Sequence, residues 1–351
     1  MKWSLACLVA LLPAAFSCAA QVPLPDDRAM SAEEAAQLQA AQDAAAAWHQ
    51  RTAAALAAGG KARDLALAAI LLPLADAPPA GEPPAGDAPS QAVRRDPRVG
   101  QWRTLASARA GSDVLANVLL VQGDTAADAA VRTQALERWR RLEPDNLGPR
   151  LHVAGDAGTW LPAAGAYARL DLHYYDQLRW MQAALAAHPP GADEQALFGG
   201  GDMAPEEAAA VAAAGIMAAV AMPALQPLVA ACRDDALDAA PTRRADCRHV
   251  ARVAAETSDT SIGTSIGIAL LEATASTPAE LADARERRRR HDWRMLEWGR
   301  IAGGQPDGGA AQFVRLLRDP AVRSEQDLVE RLLAEAGVPL DPPARWQPPR
   351  R

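Results

Sequence analysis

Apolar side chains recur three and four positions apart along most of this chain, the spacing that lines one face of a helix. Val114, Leu115, Val118 and Leu119 form one such stripe, and Val131, Ala135, Trp139 and Leu142 form another. Helix start and stop signals fall between the stripes. Ser31-Ala32-Glu33-Glu34 is a capping box, in which the serine hydroxyl accepts from the Glu34 N–H and the glutamate reaches back. The helix it opens stops at Gly59-Gly60, and a second helix over about 62–74 folds back on it. A helical region then runs from Arg98 to about Gln122, and Gly123-Asp124 turns the chain into a helix ending at Pro144. Tyr167, Leu170, Tyr174, Leu178 and Met181 share the next face, up to His188-Pro189-Pro190. Thr277-Pro278-Ala279-Glu280 is a second box, with proline at the first helical position, where its missing N–H is harmless. Ser324 caps a last helix that buries Val329, Leu332 and Leu333 and ends at Gly337. No stretch alternates apolar and polar residues between hairpin turns, so no strand is expected and the fold class is all-α.

The run from Ala135 to Leu147, with Pro144-Asp145-Asn146 stopping one helix and capping the next, resembles a tetratricopeptide repeat. The resemblance extends over about residues 99–190. Setting the family's terminal proline on Pro144 puts Leu136 on its large apolar position, while Trp139, Arg132 and Leu120 stand where the family carries small residues. It implies stacked helical hairpins in an irregular α-solenoid, with a concave groove for a protein or peptide partner.

The chain opens with Met1-Lys2-Trp3, an apolar core from Leu5 to Phe16, and Ser17-Cys18-Ala19-Ala20 before Gln21, the pattern of a secretory signal peptide cleaved after Ala20. Lipidation of Cys18 is the alternative, although Ala15 stands where such signals carry a branched aliphatic residue. The chain then divides into an N-terminal helical hairpin (21–76), a Pro/Gly-rich loop (77–98), tetratricopeptide-like pairs (99–200), a C-terminal helical region (201–340) and a Pro/Arg-rich tail (341–351). Removing the leader leaves two cysteines, Cys232 and Cys247, and an even pair in an exported chain points to one disulfide. It would close a polar loop between two helix ends. Lysine occurs only at Lys2 and Lys61, and with abundant alanine and arginine this is the pattern of a GC-rich bacterial gene. Export then means the periplasm or secretion.

Net charge is −7, which together with export argues against nucleic acid as a partner. Residues Ala208 to Cys232 carry no charge and are long enough to span a bilayer, but Pro223, Gln226 and Pro227 would expose polar backbone to lipid. The segment reads as a helix buried on all sides, ending near Pro223, and no transmembrane span is expected in the mature chain.

Gly263-Thr264-Ser265-Ile266-Gly267 fits the G-x-S-x-G pattern of a nucleophile elbow, but the elbow needs a strand before the serine and Cys247–Glu256 reads as helix. The glycines instead suit close helix packing, with Ser258 or Asp259 as cap. Arg287, Arg288, Arg289 and Arg290 are the densest positive cluster, a candidate patch for an anionic envelope component or acidic partner. The competing reading is a solvated helix face paired with Asp283, Glu286 and Glu297. His173 and Asp176, three apart, are a candidate acid/base pair, weighed against structural packing of Tyr174 and Tyr175. The six histidines show no metal-ligand spacing, and neither a metal nor a cofactor is expected. The residues therefore describe an exported envelope scaffold that is not an enzyme. The alternatives are an enzyme or enzyme accessory using His173/Asp176 or Ser265, or a factor lipid-anchored through Cys18.

Overall fold

The computed structural model describes residues 31–75, 96–122, 128–153, 155–197, 203–220, 223–240, 242–303 and 309–348. The segment expected to be a leader, with Cys18, and most of the Pro/Gly-rich loop lie outside them. Among the described residues the fold is all-α, and the only β-type contact is an isolated parallel bridge between Asn146 and Arg169.

Helix α1 (Ala32–Gly59) begins with the Ser31–Glu34 capping box and ends at Gly60, whose φ of 68° lies in the left-handed region that favours glycine. Helix α2 (Ala62–Ala75) packs along it. Every residue from Leu65 to Leu72 in α2 is buried, because α1 covers one side and α3 (Pro97–Ala110) and α4 (Val114–Gln122) cover others. The helical region expected over 98–122 is thus two helices. Gly111, at φ 47°, breaks it, and the Asp113 carboxylate accepts from the Ala116 N–H at the start of α4. Helix α5 (Ala129–Leu142) packs on α4, and a short α6 (Gly148–Leu151) and two 3₁₀ turns (Ala157–Thr159, Leu161–Ala166) follow.

The next elements are α7 (Tyr174–Ala186), α8 (Ala192–Leu197), α9 (Pro205–Ala219), α10 (Gln226–Ala231) and α11 (Asp234–Ala239). After them come α12 (Arg243–Thr257), α13 (Ser261–Thr274), α14 (Pro278–Gly303), α15 (Gly309–Arg318) and α16 (Glu325–Glu335). One hydrophobic cluster runs from Trp48 in α1 to Leu328 in α16. Contacts distant in sequence tie it together: the Trp48 indole donates to the His188 carbonyl, and Arg179 donates to the Leu317 carbonyl. Among the described residues no helix is long and apolar enough to cross a membrane.

Three local expectations are corrected. Tyr167 and Leu170 do not share a helix with Tyr174, because backbone N–H groups in that segment bond elsewhere. Ala168 donates to the Asp145 carbonyl, Leu170 to Thr257 Oγ1 and Leu172 to the Asp259 carboxylate, which holds residues 167–173 out of a helix. The uncharged segment is not buried on all sides: α9 buries Ala209, Ala210, Ala213, Ala214, Ile216 and Met217, while Gly215, Ala218 and Ala219 are exposed. Helix α13 is capped by Thr260, whose side chain accepts from the Gly263 N–H, and not by Ser258 or Asp259.

The expected close packing does occur at Gly267, where an added Cβ would lie 2.3 Å from the Ala255 nitrogen of α12. Cys232 and Cys247 form the expected disulfide, Cα atoms 5.7 Å apart. The loop it closes contains α11 in place of a wholly irregular segment.

Candidate functional site

The C-terminal end of α5 and the segment 167–173 meet at a corner organised by Glu143. Proline at 144 ends α5, and the chain turns so that the Leu147 N–H donates to the Arg169 carbonyl. The turn leaves Glu143 facing His173, 30 residues later. The Trp139 indole (2.8 Å) and Asn146 Nδ2 (2.9 Å) donate to Glu143 Oε2, which also lies 2.9 Å from His173 Nε2. Arg169 reaches the other oxygen at 3.0 Å. Burial opposes ionisation of Glu143, yet the bonds from His173, Asn146 and Trp139 hold its carboxyl well below the usual range.

His173 is the reciprocal case. Its second ring nitrogen lies 3.4 Å from Asp176, and Asp171 is 3.8 Å away. Burial disfavours its charge, but the bonds to Asp176 and Glu143 and the charge of Asp171 outweigh this and push it up to about 10. The backbone of His173 sits at φ 55°, the one non-glycine residue with positive φ among those described. Asn146 fixes the corner further: its Oδ1 accepts from the N–H groups of Gly148 and Asp171. Behind it, Asp259 caps α7 by accepting from the N–H groups of Leu172 and Tyr174. Burial and the nearby Asp171 charge push the Asp259 carboxyl up to about 7.

In front of the corner lies a cleft of about 300 Å³. Arg140 and Arg141 of α5, Arg150 of α6 and the Tyr167 hydroxyl line it, with Glu137 on α5 and Glu143 as its acids. Arg150 Nε donates to Tyr167 Oη at 2.8 Å. Among the described residues, Arg140, Arg141 and Arg150 have no carboxylate partner. Glu143, one of the two acids of the lining, is already engaged by four donors. The lining therefore holds more arginines than acids, and those arginines can take up an oxyanion through guanidinium forks.

The residues singled out by sequence fall elsewhere or play other parts. Arg287 pairs with Asp283 and Glu256, Arg288 with Glu272, Arg289 with Glu286, and Arg290 with Glu286 and Asp341. This chain's own tail lies against the same helix, through Trp293 Nε1 to the Pro339 carbonyl and Arg294 Nε to the Leu340 carbonyl. Ser265 is inside α13, its hydroxyl 3.4 Å from the Arg288 guanidinium. His291 is far from that pattern's needs as a base: burial, with Arg288 and Arg294 nearby, pushes it down to about 4. His173 and Asp176 do come together. Among the described residues no group of three His, Cys, Asp or Glu side chains is arranged to hold a metal. Sequence reasoning missed Glu143, Arg140, Arg141, Arg150 and Tyr167; the Arg140-Arg141 pair beside Pro144 was the available signal.

No protein-family profile, curated protein or solved structure matches the chain.

Proposed function

We propose that the chain is an exported component of the bacterial envelope, a scaffold of helical hairpins in an irregular tetratricopeptide-like array that holds a protein or peptide partner and catalyses no reaction. The observation that carries this reading is the cleft, lined by Arg140, Arg141 and Arg150, which have no carboxylate partner among the described residues. The disulfide supports export to an oxidising compartment. On this reading the leader is cleaved after Ala20 and Cys18 leaves with it. The bonding of His173 supports a structural role, because a ring held by carboxylates at both nitrogens and protonated at neutral pH has no lone pair with which to act as a base.

One observation favours a second reading, an acid/base enzyme or accessory using His173 and Asp176. The left-handed backbone of His173 is a strained conformation of the kind found at functional sites.

The test places the photo-crosslinker p-benzoylphenylalanine at position 142, replacing Leu142, which is exposed beside the cleft, and separately at position 105, replacing the exposed Leu105. In intact cells, position 142 should capture one envelope protein and position 105 should not. Capture of nothing at position 142, or of the same proteins at both, overturns the interaction reading. Intact mass of the exported chain should correspond to a start at Gln21 without lipid, and a diacylglycerol adduct on Cys18 overturns that part. Alkylation of the denatured, unreduced protein should modify neither Cys232 nor Cys247.

A further inference from the structure

The cleft beside Glu143 is polar and built from several elements. Helix α5 supplies Arg140 and Arg141 in its last turn, α6 supplies Arg150, and the segment before α7 supplies Tyr167. Three features give it a chemical preference. Two of the guanidiniums, on Arg140 and Arg141, have no hydrogen-bond or ion-pair partner among the described residues, so their donors are open to a ligand. The third, on Arg150, is oriented by its bond to Tyr167 Oη. Because that oxygen accepts from Arg150, its own proton is left to donate into the cleft. Four donor groups thus converge on a space at the lower end of the range for small-ligand pockets.

The charge balance narrows the ligand further. Glu143 is paired with His173 and Arg169, cations it shares with Asp145, Asp171 and Asp176, and both its oxygens are already engaged, so it competes poorly for the cleft arginines. Glu137 is the remaining acid in the lining. It repels any bound anion, a dianion such as phosphate more strongly than a monoanion, and offers an acceptor to an N–H beside the bound group. A carboxylate attached to peptide backbone satisfies both conditions: it is monoanionic, it accepts two parallel bonds from a guanidinium, and it carries an adjacent N–H.

We propose that this cleft binds a carboxylate of an acidic peptide segment, with Arg140, Arg141 and Arg150 as the charged contacts and the Tyr167 hydroxyl as a further donor. The proposal rests on the interaction reading above and gives its partner a chemistry. It is separate from the Arg287–Arg290 cluster, whose arginines already hold carboxylates of this chain.

The experiment measures binding of a fluorescein-labelled tetraglutamate peptide to the full mature protein by anisotropy at low salt, with tetraglutamine as the uncharged control. Tetraglutamate should bind and tetraglutamine should not. Arg140→Ala/Arg141→Ala should weaken tetraglutamate binding by about tenfold or more, the loss expected for charge-assisted bonds. Arg150→Lys keeps the charge and removes the fork, and should weaken binding several-fold with an unchanged melting temperature. Arg290→Ala should leave binding as it was. Equal binding of the two peptides overturns the proposal, as does an equal effect of Arg290→Ala. Inorganic phosphate or phenyl phosphate displacing the probe at lower concentration than succinate overturns the carboxylate assignment in favour of a phosphate site. If the arginines serve only the C-terminal dipole of α5, the double variant loses stability with unchanged affinity, which also overturns it. The two levels fail separately. A crosslinked partner at position 142 without tetraglutamate binding leaves the interaction reading standing, whereas tetraglutamate binding without a crosslink leaves only the anion site.

Discussion

The corner around Glu143 and the arginine face of α14 are both rich in ion pairs, and they differ in what surrounds the charges. At the corner, Glu143 and His173 have side chains only 13% and 11% exposed, and each makes contact with several groups drawn from separate segments. On α14, the pairs Arg289–Glu286 and Arg290–Glu286 join neighbours one turn apart, with Glu286 41% exposed and Arg290 52%. Charges of the first kind are expensive to break, because removing one partner strands the other away from water. Charges of the second kind are screened by solvent and contribute little. A dense run of arginines in sequence is thus poor evidence for a binding site when acids lie one helical turn before them. The cleft arginines are fewer but unmatched.

The largest expected effect is at the corner. Glu143→Ala removes the acceptor of Trp139, Asn146 and Arg169 and leaves His173 with only its weaker partners. Urea unfolding should show a loss of about 3 kcal/mol, the low end for breaking a buried pair. A loss below about 1 kcal/mol would place this pair with surface bridges and end the comparison. The pair also sets a pH signature. His173 is raised above its ordinary 6.5, so its contribution is fully present below pH 6.5 and is lost as pH rises toward about 10. Glu143 is lowered from its ordinary 4.5, so its contribution is present above pH 4.5 and is lost as pH falls below that. The stability deficit of His173→Gln should therefore shrink between pH 6.5 and 10. A deficit constant across that range would mean that the ring is not held as a cation.

Two glycines sharpen the contrast at a smaller scale. An added Cβ at Gly148 would lie 2.7 Å from the Asp171 carbonyl oxygen, a backbone atom with no freedom to retreat. Gly148→Ala should destabilise by about 2 kcal/mol through overpacking. At Gly299, in α14, the same Cβ would meet nothing within 4 Å. Gly299→Ala should raise stability by roughly 0.5 kcal/mol, because alanine loses less backbone entropy in a helix. Equal shifts of the same sign in thermal unfolding would contradict the packing difference.

How far the sequence carried this picture follows the same division between local and distant contacts. The boxes at Ser31/Glu34 and Thr277/Glu280, the cap at Ser324, the stop at Gly60 and the close approach at Gly267 were legible, because each depends on residues a few positions apart or on helical spacing. The disulfide was legible because only two cysteines follow residue 20. The non-helical run 167–173 was not, since Asp145, Thr257 and Asp259 supply its partners from distant parts of the sequence, the last two 87 residues away, and helical periodicity alone looked sufficient. Pairing of His173 with Asp176 could be read from spacing, but the shorter contact with Glu143 could not. For Arg140, Arg141 and Arg150, the informative property is the lack of an ion-pair partner although Glu137 and Glu143 line the same cleft, which no local pattern records.

The smallest expected effect is on α14, and it tests the idea that pairing separates the two arginine groups. Glu286→Gln removes the carboxylate 2.8 Å from Arg289 and 3.2 Å from Arg290. Both pairs are solvent-exposed, so stability should fall by less than about 0.5 kcal/mol and the difference should fade in high salt. A loss above about 1.5 kcal/mol would show that α14 carries a coupled network like the corner. The same substitution makes these arginines more like those in the cleft. Introduced into the Arg140→Ala/Arg141→Ala background, Glu286→Gln should therefore return a weak, salt-sensitive fraction of tetraglutamate binding. If none returns, freedom from carboxylates is insufficient to make an anion site, and the enclosure provided by α5, α6 and Tyr167 must supply the rest.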